Sequence, residues 1–386
     1  MNENNNPNFD FYSFNARPQE ENTTSAPEEK DFTPAPGEPV VWSAEEGEAV
    51  AAPVDLTEQK GKMRRGYSRI GWAFVGVTVS WIVLTVILQS VAQTIAPQLL
   101  DTFWFEIVAG TFPLYFICTP LLFLMLQGAP AQTPEKKKLS VPHFFLLLVL
   151  AEGVMVAGSL IGNGLMNVMS LLTGNDFQNQ LNETFDIPVW LSFTVTVILA
   201  PIFEELIFRK LLLDRMLPYG ELCAILINGV LFGAFHGNFF QFFYAAMLGM
   251  LLAFLYAKTG KLRHCILIHM CVNFLGGIVP TLIYDWLGYD TMMELMGDEA
   301  ALAAYVAEHL LPYLATMAYS ALQYGCAIAG FVIFTVNFRY FKPDKKPDLL
   351  PAKEGLMTSF LTPGIIASLV VCGLLFVMSL ISSVAG

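Results

Sequence analysis

Residues 188–213 read PVWLSFTVTVILAPIFEELIFRKLLL. From Pro188 to Phe203 the only polar side chains are Ser192, Thr194 and Thr196; Glu204, Glu205 and Arg209 then arrive inside the same apolar run. A run this long can cross the hydrocarbon core of a bilayer, which takes about 20 helical residues. A charge at the centre of a bilayer costs at least ~2.5–3.5 kcal/mol on insertion scales, so an ionisable residue there is a functional candidate by default. Helical geometry separates the three charges. Glu205 and Arg209 are four apart and share a face, whereas Glu204 is turned away by about 100°. One glutamate is neutralised locally and the other is left free. Pro201 removes a backbone donor just before the pair and can kink the helix there.

Working outward, comparable spans fall near 70–96, 103–126, 142–172, 222–237, 239–257, 264–283, 311–337 and 361–383, nine in all, two of them short. The chain of 386 residues is 55% apolar and 14% charged, with mean hydropathy +0.54, against roughly 25% charged residues in a soluble domain. The fold class is therefore all-α, a polytopic transmembrane helical bundle. The net charge of −12 is a separate matter: residues 1–59 hold 13 acidic side chains against Arg17 and Lys30 and leave a nearly neutral remainder. Residues 1–60, rich in Pro, Glu, Thr, Ser and Ala, are expected to be a disordered acidic tail, and residues 61–386 the transmembrane domain. The aromatic cluster FDFYSF at 9–14 is read as a chance feature of that tail rather than a docking motif.

The composition excludes a basic nucleic-acid-binding protein, a collagen-like chain and a disulfide scaffold. Cys118, Cys223, Cys265, Cys271, Cys326 and Cys372 lie scattered in apolar runs without a C-x-x-C pair, and read as buried thiols. The start MNENNNPNFD has no basic-then-apolar order, so no cleavable signal peptide is expected. Every second connection is basic: Lys60 to Arg69, Lys136 to Lys138, Arg209 to Arg215, Lys258 to Arg263 and Arg339 to Lys346. The longer intervening ones are acidic, with Asp176, Glu183 and Asp186 in one and Asp285 to Glu308 in another. The positive-inside rule then puts the N-terminus in the cytosol and the C-terminus outside a plasma membrane.

Two further polar patterns lie inside apolar spans, Phe232-Gly-Ala-Phe-His236 and His269-Met-Cys-Val-Asn273. Each pairs residues on one helical face. At a rise of roughly 1.5 Å per residue, Glu204 lies about 15 Å, His269 about 10 Å and His236 about 20 Å from the cytosolic helix ends. One pocket in the cytosolic half of the bilayer could collect all three. A carboxylate and a histidine can activate water, and a second histidine with an amide can stabilise an oxyanion, which suits peptide hydrolysis. Glu204, His236 and His269 could instead supply three ligands to Zn²⁺ with water as the fourth; the sequence has no H-E-x-x-H motif to decide it.

These three patterns, in this order on successive hydrophobic helices, resemble the signatures E-E-x-x-x-R, F-x-x-x-H and H-x-x-x-N of the CAAX-processing and bacteriocin-processing intramembrane endopeptidases, the type II CAAX protease or abortive-infection family. The resemblance covers about 188–283. It implies that Glu204, with His236, activates a water, that His269 and Asn273 hold the oxyanion, and that Arg209 braces Glu205. Family members have been described as metalloproteases. A prenylated substrate is not carried over, because the chain reads as bacterial and bacteria generally do not prenylate proteins. The expected partners are the bilayer and a membrane protein or peptide substrate, with no nucleic acid. The alternative is a non-catalytic scaffold or bacteriocin-immunity-type protein that binds a peptide in the same cavity. Glu152 reads as cavity-lining or buried in its protonated form, and Gly158 with Gly162 as a close helix contact. Phe239 to Tyr244 read as packing and lipid contact.

Overall fold

The computed structural model describes residues 55–175, 177, 187–344 and 350–385, and the backbone of three short extended pieces, Asn8–Phe9, Val40–Trp42 and Ala49–Ala51. The rest of the tail expected to be disordered, and the acidic residues Asp176, Glu183 and Asp186, lie outside the described residues. Twelve helices follow. They are α1 (Leu56–Ile95), α2 (Phe103–Met125), α3 (Val141–Thr173), α4 (Val189–Tyr219), α5 (Glu221–Phe235), α6 (Phe239–Thr259), α7 (Leu262–Leu287), α8 (Tyr289–Glu294), α9 (Glu299–Glu308), α10 (Leu310–Tyr340), α11 (Ala352–Phe360) and α12 (Pro363–Ala385).

Among the described residues eight helices, α1 to α4, α6, α7, α10 and α12, are long and apolar enough to cross a membrane. The chain is a helical membrane protein. The ninth expected span is α5, whose 15 residues reach only about 22 Å. It is an internal helix, with 11 of those residues buried. Gly237, at φ +69°, reverses the chain after it, and Asn238 caps α6 by accepting from the Gln241 N–H at 2.9 Å. At the other end of the bundle, α1 begins well before the apolar run at Ile70. The Asp55 carboxylate accepts from the Thr57 N–H at 2.8 Å and the Glu58 N–H at 3.2 Å, so the basic stretch from Lys60 to Arg69 is the first part of a 40-residue helix.

The basic connections gather on one face. The Arg69 guanidinium donates to the Gln127 carbonyl, Arg215 Nε to the Leu126 carbonyl at 3.1 Å, and the Lys137 N–H to the Thr259 carbonyl at 2.8 Å. Lys258 Nζ lies 2.7 Å from Glu221 and 2.9 Å from Asp344. These contacts tie the start of α1, the α2–α3 loop, the end of α4, the α6–α7 turn and the segment after α10 into a single surface. Lys261 on that surface titrates below the usual lysine range, through desolvation first and then through the cations Arg263, Lys138 and Lys136 beside it.

The core is built on α3, which packs against α6, α7 and α10, with α5 and α6 as an antiparallel pair beside it. Gly158 and Gly162 make the α3–α6 contact: a Cβ on Gly158 would sit 2.3 Å from the Tyr244 Cα, and one on Gly162 2.8 Å from the Phe240 carbonyl oxygen. Gly158→Ala is expected to cost about 1–3 kcal/mol by forcing the helices apart, read as a lower thermal midpoint in detergent. Gly164→Ala, where a Cβ meets nothing within 4 Å, serves as the unchanged control.

Candidate active site

Three helices carry the intramembrane polar residues, and the bundle brings them together. Glu205 on α4 is fully buried, with Arg209 Nε 2.9 Å from its Oε2 and Arg209 Nη2 donating to Oε1 at 3.3 Å. The guanidinium also donates through Nη1 to Asn228 Oδ1 and lies 5.1 Å from the Phe232 ring centroid. Asn228 Nδ2 in turn donates to the Phe208 carbonyl at 2.8 Å. A buried ion pair needs further donors and acceptors around it, and Asn228, itself 0% exposed, supplies one acceptor to the guanidinium. Asn228 was absent from the sequence reading. Its signal was there in the spacing Asn228, Phe232, His236, three residues on one face of α5.

His269 on α7 bridges the two glutamates. Its Nδ1 is 3.0 Å from Glu205 Oε1 and its Nε2 3.8 Å from Glu204 Oε2. The first is a hydrogen bond to a buried carboxylate, which accepts only, so Nδ1 carries a proton and the ring is fixed. The second is too long for a direct bond and leaves room for a water beside the two groups. Glu204 is the more open carboxylate, its side chain 16% exposed against 0% for Glu205. Tyr115 of α2 and Tyr244 of α6 both lie within the electrostatic reach of Glu204. The Tyr115 ring stacks on Phe203 with centroids 4.5 Å apart and planes 2° from parallel.

His236 ends α5. Its Nδ1 is 2.8 Å from the Phe232 carbonyl; a carbonyl only accepts, so a proton is on Nδ1, and Nε2 is the nitrogen left to meet a water or ligand. The Phe232 ring touches both histidines, with centroids 5.1 Å from His236 and 5.8 Å from His269. The carboxylate bonded to His269 is thus Glu205, and Glu204 lies 3.8 Å from its other nitrogen. Only tertiary packing decides between two histidines on different helices. Asn273 donates one amide hydrogen to the Thr196 carbonyl at 2.8 Å, which leaves the second free for a ligand. Elsewhere, Phe239 and Phe242 pack on Phe376 of α12, with centroids 4.6 and 5.7 Å apart.

Among the described residues no three His, Cys, Asp or Glu side chains are placed to hold a metal ion together. The Nδ1 of His269 is committed to Glu205 and that of His236 to a carbonyl. Each ring thus keeps Nε2 as its remaining donor atom, and a histidine whose other nitrogen is held by a carboxylate or a carbonyl is oriented as metal-ligating histidines are.

The fold and the buried Glu-Glu-Arg and histidine cluster define the class: a polytopic helical membrane protein with a candidate hydrolytic site inside the bundle. Residues 186–275, which contain all of these site residues, match the family described as type II CAAX prenyl endopeptidase Rce1-like. Over 165 residues the chain is 26% identical to "Putative membrane peptidase YdiL" of Bacillus subtilis (strain 168), covering 41% of this chain and 66% of that relative, just under two thirds. No solved structure matches the chain. Both matches fall on part of the chain, and over that part it is similar to the type II CAAX prenyl endopeptidase Rce1-like family and to the Bacillus relative.

Proposed function

We propose that the protein is an endopeptidase that hydrolyses a peptide bond of a membrane protein or membrane-bound peptide, reached from the cytosolic side. The observation that carries this reading is the division of labour between adjacent glutamates: Glu205 is consumed by Arg209 and His269, while Glu204 faces His269 Nε2 across 3.8 Å. In this mechanism a water beside Glu204 gives it a proton as its oxygen attacks the scissile carbonyl carbon. The His236 Nε2 lone pair is a second acceptor for that water. The oxyanion that forms is stabilised by the His269 Nε2–H and by the free amide hydrogen of Asn273. When the carbon–nitrogen bond breaks, Glu204 returns the proton to the departing amine. Glu205 keeps the His269 ring in place, as carboxylates behind catalytic histidines do.

The access side follows from the basic face described above, which the positive-inside rule assigns to the cytosol. The decisive experiment compares fragments of the membrane proteome in cells carrying wild type or Glu204→Ala. Fragments present only with wild type identify the substrate; identical fragment sets overturn the reading. If a phenotype such as protection from a membrane-active peptide survives in Glu204→Ala with His236→Ala, the cavity acts by binding instead. Chelation offers a separate check. Turnover of the purified protein should be unchanged within twofold after treatment with 1,10-phenanthroline, and loss of activity restored by Zn²⁺ would contradict the non-metal route.

A further inference from the structure

Three membrane helices share a local defect. In each, a π-helical turn is followed by proline: Pro113–Cys118 before Pro120 in α2, Phe193–Leu199 before Pro201 in α4, and Phe274–Ile278 before Pro280 in α7. In the π register an N–H bonds five residues back, and the Ala200 N–H does so to Val195 and the Val279 N–H to Phe274. The next donor in each helix would be residue 201 or 280, and proline has none. The carbonyls of Thr196 and Leu275 are thereby left open inside the bundle, where water is absent and an open backbone group must find another partner.

Side chains from neighbouring helices close both. Asn273 of α7 donates to the Thr196 carbonyl at 2.8 Å. The Tyr319 hydroxyl of α10 donates to the Leu275 carbonyl at 2.9 Å. Tyr319 is held in turn by Gln323 Nε2 at 2.8 Å, and Gln323 lies within the electrostatic reach of Glu152 of α3. Glu152 is 3% exposed, and its Oε1 has no partner among the described residues. The hydrogen-bonded line thus runs from Gln323 and Tyr319 of α10 into α7 and ends in the turn that immediately follows Asn273. A second bond, from Asn273 itself, ties that point to the π turn preceding Glu204.

We infer that Tyr319, backed by Gln323, is a positioning residue: its hydroxyl closes the Leu275 carbonyl and so holds the π turn of α7 next to Asn273, which bonds to α4, and to His269, which faces Glu204. If the turn relaxed to the α register, the part of α7 beyond it would rotate by about 100° against the part carrying His269. The packing of α7 on α10 and on α4 could not then both be kept.

The inference rests on the protease reading for its effect on turnover, so its test has a readout independent of cleavage. In Tyr319→Phe the ring remains and only the donor is lost. Amide hydrogen exchange over residues 274–284, measured without substrate in detergent, should rise about tenfold in this variant and stay at the wild-type rate in Glu204→Ala. Turnover of a quenched peptide containing a cleavage site identified by the wild-type and Glu204→Ala comparison should fall about 10- to 30-fold in kcat with KM within twofold. Pro280→Ala supplies the missing N–H, so Tyr319→Phe with Pro280→Ala should regain at least half of the lost kcat and the exchange protection. Wild-type exchange in Tyr319→Phe, or a double variant no better than the single one, overturns the inference. If Glu204→Ala cleaves as fast as wild type, the protease reading fails, and the exchange data still judge the role of Tyr319.

Discussion

Glu204→Gln is expected to give a folded, inserted protein whose turnover is at least about 10³-fold below wild type, in line with the loss of a general base. The substitution keeps the shape of the side chain and removes only its basicity. Nothing in the surrounding ion-pair network depends on the Glu204 charge for satisfaction, because Arg209 is paired with Glu205 and the Nδ1 of His269 is bonded to Glu205. The 16% exposed carboxylate also carries less of the packing than its fully buried neighbour. Stability should therefore be unchanged within the error of a thermal melt, while the rate collapses. Substrate binding offers a further discrimination: a general base acts in the transition state, so kcat should fall and KM stay nearly constant. Wild-type rates in Glu204→Gln, or a loss of activity that tracks a loss of fold, would remove Glu204 from the mechanism.

The contrast between the two glutamates was legible in the sequence, and for a physical reason. Ionisable side chains are so costly within a bilayer that Glu204, Glu205, Arg209, His236 and His269 stand out against apolar neighbours, and four-residue spacing alone pairs Glu205 with Arg209. The helical spans and the basic connections were legible on the same grounds of length and charge. The pairing of helices was not. His269 of α7 comes within 3.8 Å of Glu204 of α4, and Tyr319 bonds to Leu275 across 44 positions, because the bundle sets these distances. Pro201 announced a disturbance in α4, but not its form; the π turn is specified jointly by Pro201 and by Asn273 arriving from α7. Nor did the apolar pattern reveal where α1 begins, since a capping aspartate at residue 55 extends the helix through a polar stretch.

Arg209→Met should be the most destabilising change in the catalytic core, costing about 3–5 kcal/mol, the range seen when one partner of a buried ion pair is removed. Both members of the Glu205–Arg209 pair are 0% exposed. Without Arg209 the Glu205 carboxylate faces only His269, and Asn228 Oδ1 loses the guanidinium it accepts from. The expected measurement is a large fall in the thermal midpoint and in the monodisperse fraction purified in detergent. Glu205→Gln combined with Arg209→Met removes both charges together, so it should recover much of that stability. It should not recover turnover, because His269 then lacks the carboxylate that orients it. Recovery of both would reduce Glu205 to a structural counterion. Recovery of stability alone separates its two roles, one toward Arg209 in folding and one toward His269 in catalysis.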